Sequence, residues 1–576
     1  MKDCVLLGDE ALALGALHAG LSAGFGYPGT PSTEILEYLI DNYEKNNGPV
    51  AQWCSNEKTA YEAALGVSFA GKRALVTMKH VGLNVAADPF MNSSLLGIKG
   101  GLVVIVADDP SMHSSQGEQD SRFYADFAMI PCFEPTTQQE AYEMMFDAFA
   151  FSEAHHVPVL MRMVTRLSHS RAVVHPKDEK DFLSQNALEK GERREWMLLP
   201  ALARKNYDKM ISKQELFAGW SDGNQWNKLT LNEKRSDLAI VTSGLGRNYY
   251  LENLEDFAAL SEARFPGQGL PSTLHIGTLP LPREALKKLA ETAETILVIE
   301  EGMPFVEKQL AGILPQKTRV IGKLTGLLPR SGELNPDTVR AALGLAPLQS
   351  AQAVLATTDS AAAEICANLP GRPPQLCKGC PHHDSYTALN KAVEMLTAKA
   401  GAQNVSVHSD IGCYALGGTA PLNACETIVC MGASIGMARG ASQAGVKYTF
   451  GVIGDSTFLH SGMTNLVDCV STKTPVTIML VDNSIVAMTG CQKTILPSSQ
   501  LQPVVEGLGV EPEHVRVLET SPNKIEENAR ILAEEAEYRG VSVVIMRREC
   551  LEAFRLRTKA AKIAAAKAEK AAQGGN

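Results

Sequence analysis

The chain has 576 residues, enough for about three or four domains at ~150 residues each. Its 45% hydrophobic and 20% charged residues are the proportions of an ordinary globular protein, so a disordered chain is not expected. A net charge of −10 argues against nucleic acid as the main partner. Acids at Asp3, Asp9 and Glu10 interrupt the first residues, MKDCVLLGDEALALG, which therefore do not read as a signal peptide. No apolar run reaches bilayer length, so no membrane association is expected. The expectation is a cytoplasmic protein. Its 12 cysteines would be reduced, and a functional cluster among them reads as metal or redox chemistry before disulfides.

Residues 1–172 alternate β-rich runs (CVLLG, GFGYPG, RALVTM, LVVIVAD) with helical ones (ALALGALHAG, NEKTAYEAALGVSFAG). This βαβ pattern predicts a parallel sheet. Residues 173–236 are densely charged and hold three of the four tryptophans, Trp196, Trp220 and Trp226. They read as a partly helical connector across other domains, or as a plain surface insertion. Residues 237–345 return to strands (LAIVTSG, TLHIGTLPLP, TILVIEEG, RVIGKL) separated by helices. A small-residue linker, 346–372, leads to a third α/β stretch, 373–550. Residues 551–576 are an Ala/Lys-rich, basic helix candidate. The predicted fold class is therefore α/β, with three open, mostly parallel-sheet domains.

Two apolar runs in the third stretch end in polar residues, one in Gly454-Asp455 and the other in Asp482-Asn483. Asp455 and Asn483 are 483 − 455 = 28 residues apart, one strand–helix–strand unit. Parallel topology brings both strand ends to the same sheet edge, where α/β proteins bind ligands. A carboxylate, an amide oxygen and a backbone carbonyl near Ile485 are hard donors suited to Mg²⁺ holding a diphosphate; the bland alternative is two strand-end turns. Gly432 opens GASIGMARG, a Gly-rich helix whose N-terminus could approach a cofactor. Thr489-Gly490-Cys491-Gln492 forms a tight polar loop after the second strand.

In the first stretch, Asn56-Glu57 starts a helix. It reads as a cap with a dipole-favourable acid or, in a thiamine site, as the carboxyl that hydrogen-bonds the aminopyrimidine so that the C2 proton can be removed. Thr30 lies in GYPGTPSTE, a strand–turn–helix start that could reach cofactor or substrate. Cys377 and Cys380 form a CxxC, and Cys413 follows in DIGCY. Such a set can hold zinc or an iron–sulfur cluster. A four-cysteine site needs one more ligand, with Cys425, Cys430, Cys469 and Cys491 as candidates.

In chain order, GYPGTPSTE, NEKTAYEAALG, CKGCPHH, DIGCYALGG, CMGASIG, GDSTFLHSG and DNSIVAMTG together resemble the alpha subunits of indolepyruvate ferredoxin oxidoreductases. These belong to the thiamine-diphosphate-dependent 2-oxoacid:acceptor oxidoreductases. The resemblance covers nearly the whole chain to about Cys550. It implies a pyrimidine-binding domain at 1–172, a transketolase C-terminal-like domain at 237–345 and a diphosphate-binding domain at 373–550. It implies oxidative decarboxylation of an arylpyruvate to the arylacetyl-CoA, with CoA as cosubstrate. It also implies a smaller beta subunit, an alpha2beta2 assembly, and ferredoxin or another protein as electron acceptor.

By motif match, Thr30 and Glu57 fall on cofactor and substrate positions. Asp455, Asn483 and the Ile485 carbonyl fall on the magnesium ligands. Gly432, Ser434, Gly454, Ser456, Thr489 and Gly490 fall in the cofactor-binding segments. Cys377, Cys380 and Cys413 fall where relatives place a proximal [4Fe–4S] cluster, its fourth ligand open. The loop DDPSMHSSQGEQDSR lies near the substrate in the family, where His113 and Arg122 could meet a carboxylate or be solvated. Family members usually continue into a ferredoxin-like domain with two CxxCxxCxxxC runs, and here no cysteine follows Cys550. Electrons would then leave through the proximal cluster to a separate protein. The alternatives are a non-oxidative 2-oxoacid decarboxylase, which needs no cluster, and a scaffolding subunit dependent on its partner.

Overall fold

The computed structural model describes residues 2–46, 48–189, 191–192, 195–348, 364–365, 367–369 and 374–573. The chain divides into two compact units, Met1–Leu369 and Pro370–Asn576. The linker expected at 346–372 lies largely outside the described residues.

The first unit holds two sheets of five strands or more. The seven-stranded one runs, edge to edge, Thr278–Leu279, Cys132–Phe133, Val159–Val164, Leu102–Asp108, Ala74–Lys79, Ala23–Gly26, Val50–Trp53. All its pairings are parallel except that of Thr278–Leu279. Its central strands are buried along their whole length, as helix-covered parallel strands must be, which explains uninterrupted runs such as LVVIVAD. The five-stranded sheet runs Arg319–Ile321, Thr295–Glu300, Leu238–Ser243, Ser272–Ile276, Lys228–Thr230.

Two strand expectations change. Cys4–Leu7 is outside the parallel sheet and pairs antiparallel with Arg171–Val174; it is only half buried, unlike the strands it was grouped with. TLHIGTLPLP is not one strand. Ser272–Ile276 belongs to the five-stranded sheet and Thr278–Leu279 to the seven-stranded one, divided at Gly277, whose carbonyl accepts the Glu134 N–H at 2.9 Å.

The charged connector is packed. It supplies the helix Pro200–Asp222 and the edge strand Lys228–Thr230. Trp196 stacks on Phe69 at 4.4 Å, Trp220 meets Phe151 at 4.4 Å, and the Trp226 Nε1–H donates to Asp147 at 2.8 Å.

Where the strands of the two sheets end, the unit buries an ion network. Arg162 Nε donates to Asp108 at 2.6 Å and its Nη1 to Glu134. Arg122 grips Asp120 through Nε at 2.9 Å and Nη2 at 2.5 Å, and its Nη1 lies 3.0 Å from Glu300. All six side chains are buried.

The second unit holds one six-stranded, wholly parallel sheet ordered Thr427–Ile428, Val405–Ser409, Tyr448–Gly454, Val476–Asp482, Val541–Arg547, Val515–Glu519, besides a small two-stranded hairpin. Val405–Ser409 is its first strand in sequence, and the chain departs from it to both sides. That makes the crevice beyond its C-terminal end and that of Tyr448–Gly454 the topological switch point, where such sheets bind ligands. The basic tail forms one helix, Leu551–Gln573.

Candidate functional site

At the switch point of the second unit three acids and an amide leave the strand ends. Asp410 follows Val405–Ser409, Asp455 follows Tyr448–Gly454, and Asp482-Asn483 closes Val476–Asp482. All four are buried. Gly454 is required here: a Cβ would stand 2.5 Å from the Tyr414 ring. Asp455 accepts the Ser456 N–H through Oδ1 and the Ser484 N–H through Oδ2, each at 2.8 Å. Ser484 reaches back because its φ of 68° folds the chain between Asn483 and Ile485.

The two neighbouring carboxylates are treated differently. Asp482 is neutralised by Arg547, whose Nε donates at 2.7 Å. Asp455 has no cation among the described residues, and burial followed by the charge of Asp482 pushes its carboxyl up to about 8. Such hard oxygen donors suit magnesium.

Asn483 ties this corner together. Its Nδ2–H donates to His382 Nε2 at 3.1 Å and its Oδ1 accepts the Ile485 N–H at 3.2 Å. Burial pushes His382 down to about 4. With Nδ2 of Asn483 as donor, the neutral His382 accepts through Nε2. Ile485–Val486 pairs with Gln492–Lys493 in a small hairpin; Thr489 Oγ1 donates to Gln492 at 2.6 Å, and Gly490 takes a φ of 126° that side chains resist.

Gly432 begins the helix Ala433–Gln443, and a Cβ on it would strike Ser461 at 2.6 Å. Ser434, expected at the cofactor, bonds to Asp410 at the switch point: its hydroxyl donates at 2.7 Å and its N–H faces the same oxygen at 3.3 Å. Asp410, which the sequence pattern did not single out, also accepts the Tyr414 hydroxyl, and burial pushes it up to about 6.

Cys377, Cys380 and Cys413 are close enough to act on one another electrostatically, and both Cys550 and Cys491 lie close enough to act on them too. Burial first, then the nearby thiols of Cys380, Cys550, Cys377 and Cys491, push Cys413 up to about 12. Cys380 feels Cys377 and Cys550. Cys491 also lies near this group, beside Cys550 and Cys377 and close enough to act on Cys413. Two of the other candidates are placed elsewhere: Cys469 is buried in the apolar core, and Cys430 neighbours Asp410. Cys550 follows the last strand, Val541–Arg547, and its N–H donates to the Asn483 carbonyl at 3.1 Å. Arg548, two residues earlier, donates to the Gly379 carbonyl inside the CxxC turn at 3.2 Å and to Asp384 at 2.8 Å. Cys550 is 550 − 413 = 137 residues beyond Cys413, so no local spacing could reveal it.

In the first unit, Glu57 is the first residue of the helix Glu57–Phe69 and is buried. Asn56 caps the helix by accepting the Thr59 N–H at 2.9 Å, while Thr59 Oγ1 accepts the Asn56 N–H at 3.3 Å. Gly82 leaves room for the carboxyl, since a Cβ there would lie 2.6 Å from Glu57 Oε1. Thr30, half buried, sits in the turn after Ala23–Gly26, and its carbonyl accepts the Ser114 hydroxyl at 3.3 Å.

The two residues expected to meet a substrate carboxylate are not brought together. His113 is half exposed, 3.6 Å from Glu333. Arg122 is fully buried and its guanidinium is committed to Asp120 and Glu300, so the structure removes it from the substrate position.

Two family models match. One, described as pyruvate flavodoxin/ferredoxin oxidoreductase, thiamine diP-bdg, covers residues 14–214; the other, thiamine pyrophosphate enzyme, C-terminal TPP binding domain, covers 410–546. With the α/β sheets described above, they define a thiamine-diphosphate-dependent 2-oxoacid oxidoreductase subunit. An indolepyruvate oxidoreductase subunit IorA of Archaeoglobus fulgidus is 35% identical over 571 residues, covering 95% of this chain and 86% of the relative. The IorA of Methanothermobacter thermautotrophicus is 35% identical over 562 residues, with the same coverage. The chain belongs to the family of indolepyruvate oxidoreductase subunit IorA. Among solved structures, a 2-oxoglutarate:ferredoxin oxidoreductase from Magnetococcus marinus aligns over 59% of this chain and 65% of its own, with 16% identity and a TM-score of 0.47. Among the described residues, no helix is long and apolar enough to cross a membrane.

Proposed function

We propose that this chain is the catalytic alpha subunit of an enzyme that oxidatively decarboxylates an arylpyruvate, passes the acyl group to CoA and sends the two electrons out singly through an iron–sulfur cluster. The observation that carries the reading is the hydrogen bond from the Cys550 N–H to the Asn483 carbonyl, 3.1 Å long. One residue thereby serves both the oxygen-donor corner and the thiol group.

Thiamine diphosphate, when bound, supplies the carbon nucleophile and takes up the electrons freed as CO₂ departs. Glu57 would present its buried carboxyl to the aminopyrimidine. Asp455, the Asn483 amide and the Ile485 carbonyl would hold Mg²⁺ for the diphosphate, with His382 bonded to the other end of the Asn483 amide. Cys377, Cys380, Cys413 and Cys550 would hold a [4Fe–4S] cluster. A smaller beta subunit completes an alpha2beta2 enzyme in the cytoplasm, and ferredoxin or a comparable protein accepts the electrons.

The test is anaerobic co-purification with the beta subunit, followed by assay of iron, sulfide and thiamine diphosphate and of CoA-dependent dye reduction with indolepyruvate and phenylpyruvate. The expected result is about four irons per alpha chain and aryl-specific turnover. C550S is expected to lose most of the iron and the dye reduction while keeping thiamine diphosphate. Thiamine diphosphate with no iron, and aldehyde as the product, would move the enzyme to non-oxidative decarboxylation.

A further inference from the structure

Arg122 is sealed in the ion network, but the first unit holds a second buried cation, Lys79, near Thr30 and Glu57. Lys79 ends the strand Ala74–Lys79, at the C-terminal edge where parallel sheets bind ligands. That strand is parallel neighbour to Ala23–Gly26, whose following turn carries Thr30. The two strand ends touch: a Cβ on Gly29 would lie 3.1 Å from Lys79 Cβ. Immediately after Lys79 comes the helix His80–Val85, in which Gly82 lies against Glu57. One strand end therefore links the Thr30 turn to the Glu57 carboxyl.

The ammonium of Lys79 is buried and held by neutral groups. It donates to the Ser114 carbonyl at 2.6 Å and to the Ser114 hydroxyl at 3.3 Å. The same hydroxyl reaches the Thr30 carbonyl. Among the described residues no carboxylate bonds to this ammonium. The nearest acid acting on it, Asp109, spends its oxygens on the Ser114 N–H at 2.9 Å, Ser115 at 2.5 Å and Thr165 at 2.8 Å. A buried cation without a hydrogen-bonded anion is costly, and an anionic ligand offsets that cost.

Resting on the proposed 2-oxoacid activity, we infer that Lys79 is the substrate-anchoring cation: its ammonium receives the carboxylate of the 2-oxoacid beside Thr30, the role the loop sequence suggested for Arg122. Burial pushes Lys79 down to about 8, with the charge of Asp109 opposing the shift. The charge it holds leaves the carboxylate when the C–C bond breaks. The bonding pair stays on the former keto carbon and CO₂ departs neutral. Lys79 therefore contributes to binding more than to the bond-breaking step.

The test uses the alpha–beta holoenzyme and two readouts. Calorimetric titration with 3-phenylpropionate and with its neutral amide reads the anion site without turnover. Steady-state assay with phenylpyruvate reads KM and kcat separately. In wild type the acid binds more tightly than the amide. K79Q is expected to weaken the acid about 10- to 100-fold, the cost of one charge-assisted contact. It should leave the amide and thiamine diphosphate unchanged, raise KM by a similar factor, and lower kcat much less. K79R should retain most of the acid preference.

Equal loss of acid and amide in K79Q would make Lys79 a loop support and overturn the inference. So would a wild-type protein that binds acid and amide alike. A wild type that prefers the acid, loses that preference in K79Q and yet turns over no 2-oxoacid would overturn the proposed activity and leave the anion site standing.

Discussion

The strand ends of the first unit and those of the second both crowd buried acids at a sheet edge, yet they solve the charge problem in opposite ways. In the first unit the fold brings its own cations: Arg122 and Arg162 lie among Asp108, Asp120, Glu134 and Glu300. In the second, Arg547 answers Asp482 and nothing described answers Asp455. A buried acid is therefore informative through what compensates it. Where the chain supplies the cation, the acid belongs to the architecture. Where it does not, the acid is available to a metal. The same contrast recurs within the first unit, where carboxylates surround Arg122 and, among the described residues, none bonds to Lys79.

The strongest way to break this comparison is to remove a cation the fold depends on. R122M leaves Asp120 and Glu300 buried without their partner, a change that costs about 3–5 kcal/mol. The expected outcome is a clear drop in the denaturation midpoint, with thiamine diphosphate affinity of the folded protein unchanged. A loss below about 1 kcal/mol would mean that the network is not the structural element its burial implies.

The counterpart in the second unit should reverse the pattern. D455N keeps the shape and removes the charge that lacks a counter-ion. Its stability should move by no more than about 1–2 kcal/mol, the size of one disturbed hydrogen bond. Mg²⁺-dependent binding of thiamine diphosphate should fall by more than about 100-fold, since even residues behind a metal's ligands cost 10–100-fold. Wild-type affinity in D455N, measured by titration at fixed Mg²⁺, would remove Asp455 from the metal.

What the sequence made legible follows from the range of the physics involved. Asn56-Glu57, Gly454-Asp455, Asp482-Asn483 and Cys377-Lys-Gly-Cys380 are local: a cap, two strand ends and a turn, each written in adjacent residues. The three parallel-sheet regions were legible for the same reason, through buried apolar runs. Cys550 was not, because only the pairing of Val476–Asp482 with Val541–Arg547 sets it beside Asn483. Arg122 was misread because its partner Glu300 lies in the other sheet, 300 − 122 = 178 residues away. The split of TLHIGTLPLP at Gly277 likewise depends on which sheet edge is open in space. Lys79 looked like the end of an ordinary strand, since nothing local says that no acid will meet it.

The smallest effect should come from a pair that is neither sealed nor unanswered. His169 Nε2 lies 3.5 Å from Glu34 Oε2, and both side chains are about one-third exposed, at 34% and 35%. The Glu34 hydrogen bond raises His169 above its ordinary 6.5, and His169 lowers Glu34 below its ordinary 4.5. Asp9, fully buried behind them, is pushed well up by its burial and also helps to raise His169. The histidine contribution is complete below about 6.5 and is lost as pH rises through its raised folded value. The glutamate contribution is complete above about 4.5 and is lost as pH falls through its lowered folded value. The pair therefore contributes fully only between about 4.5 and 6.5. Because water screens it, that contribution should stay under about 1 kcal/mol. Comparing wild type with H169Q by denaturation at pH 5.5 and pH 9 should give a difference that shrinks at the higher pH. A difference independent of pH would assign the loss to packing, and would place this pair with the architectural acids of the first unit.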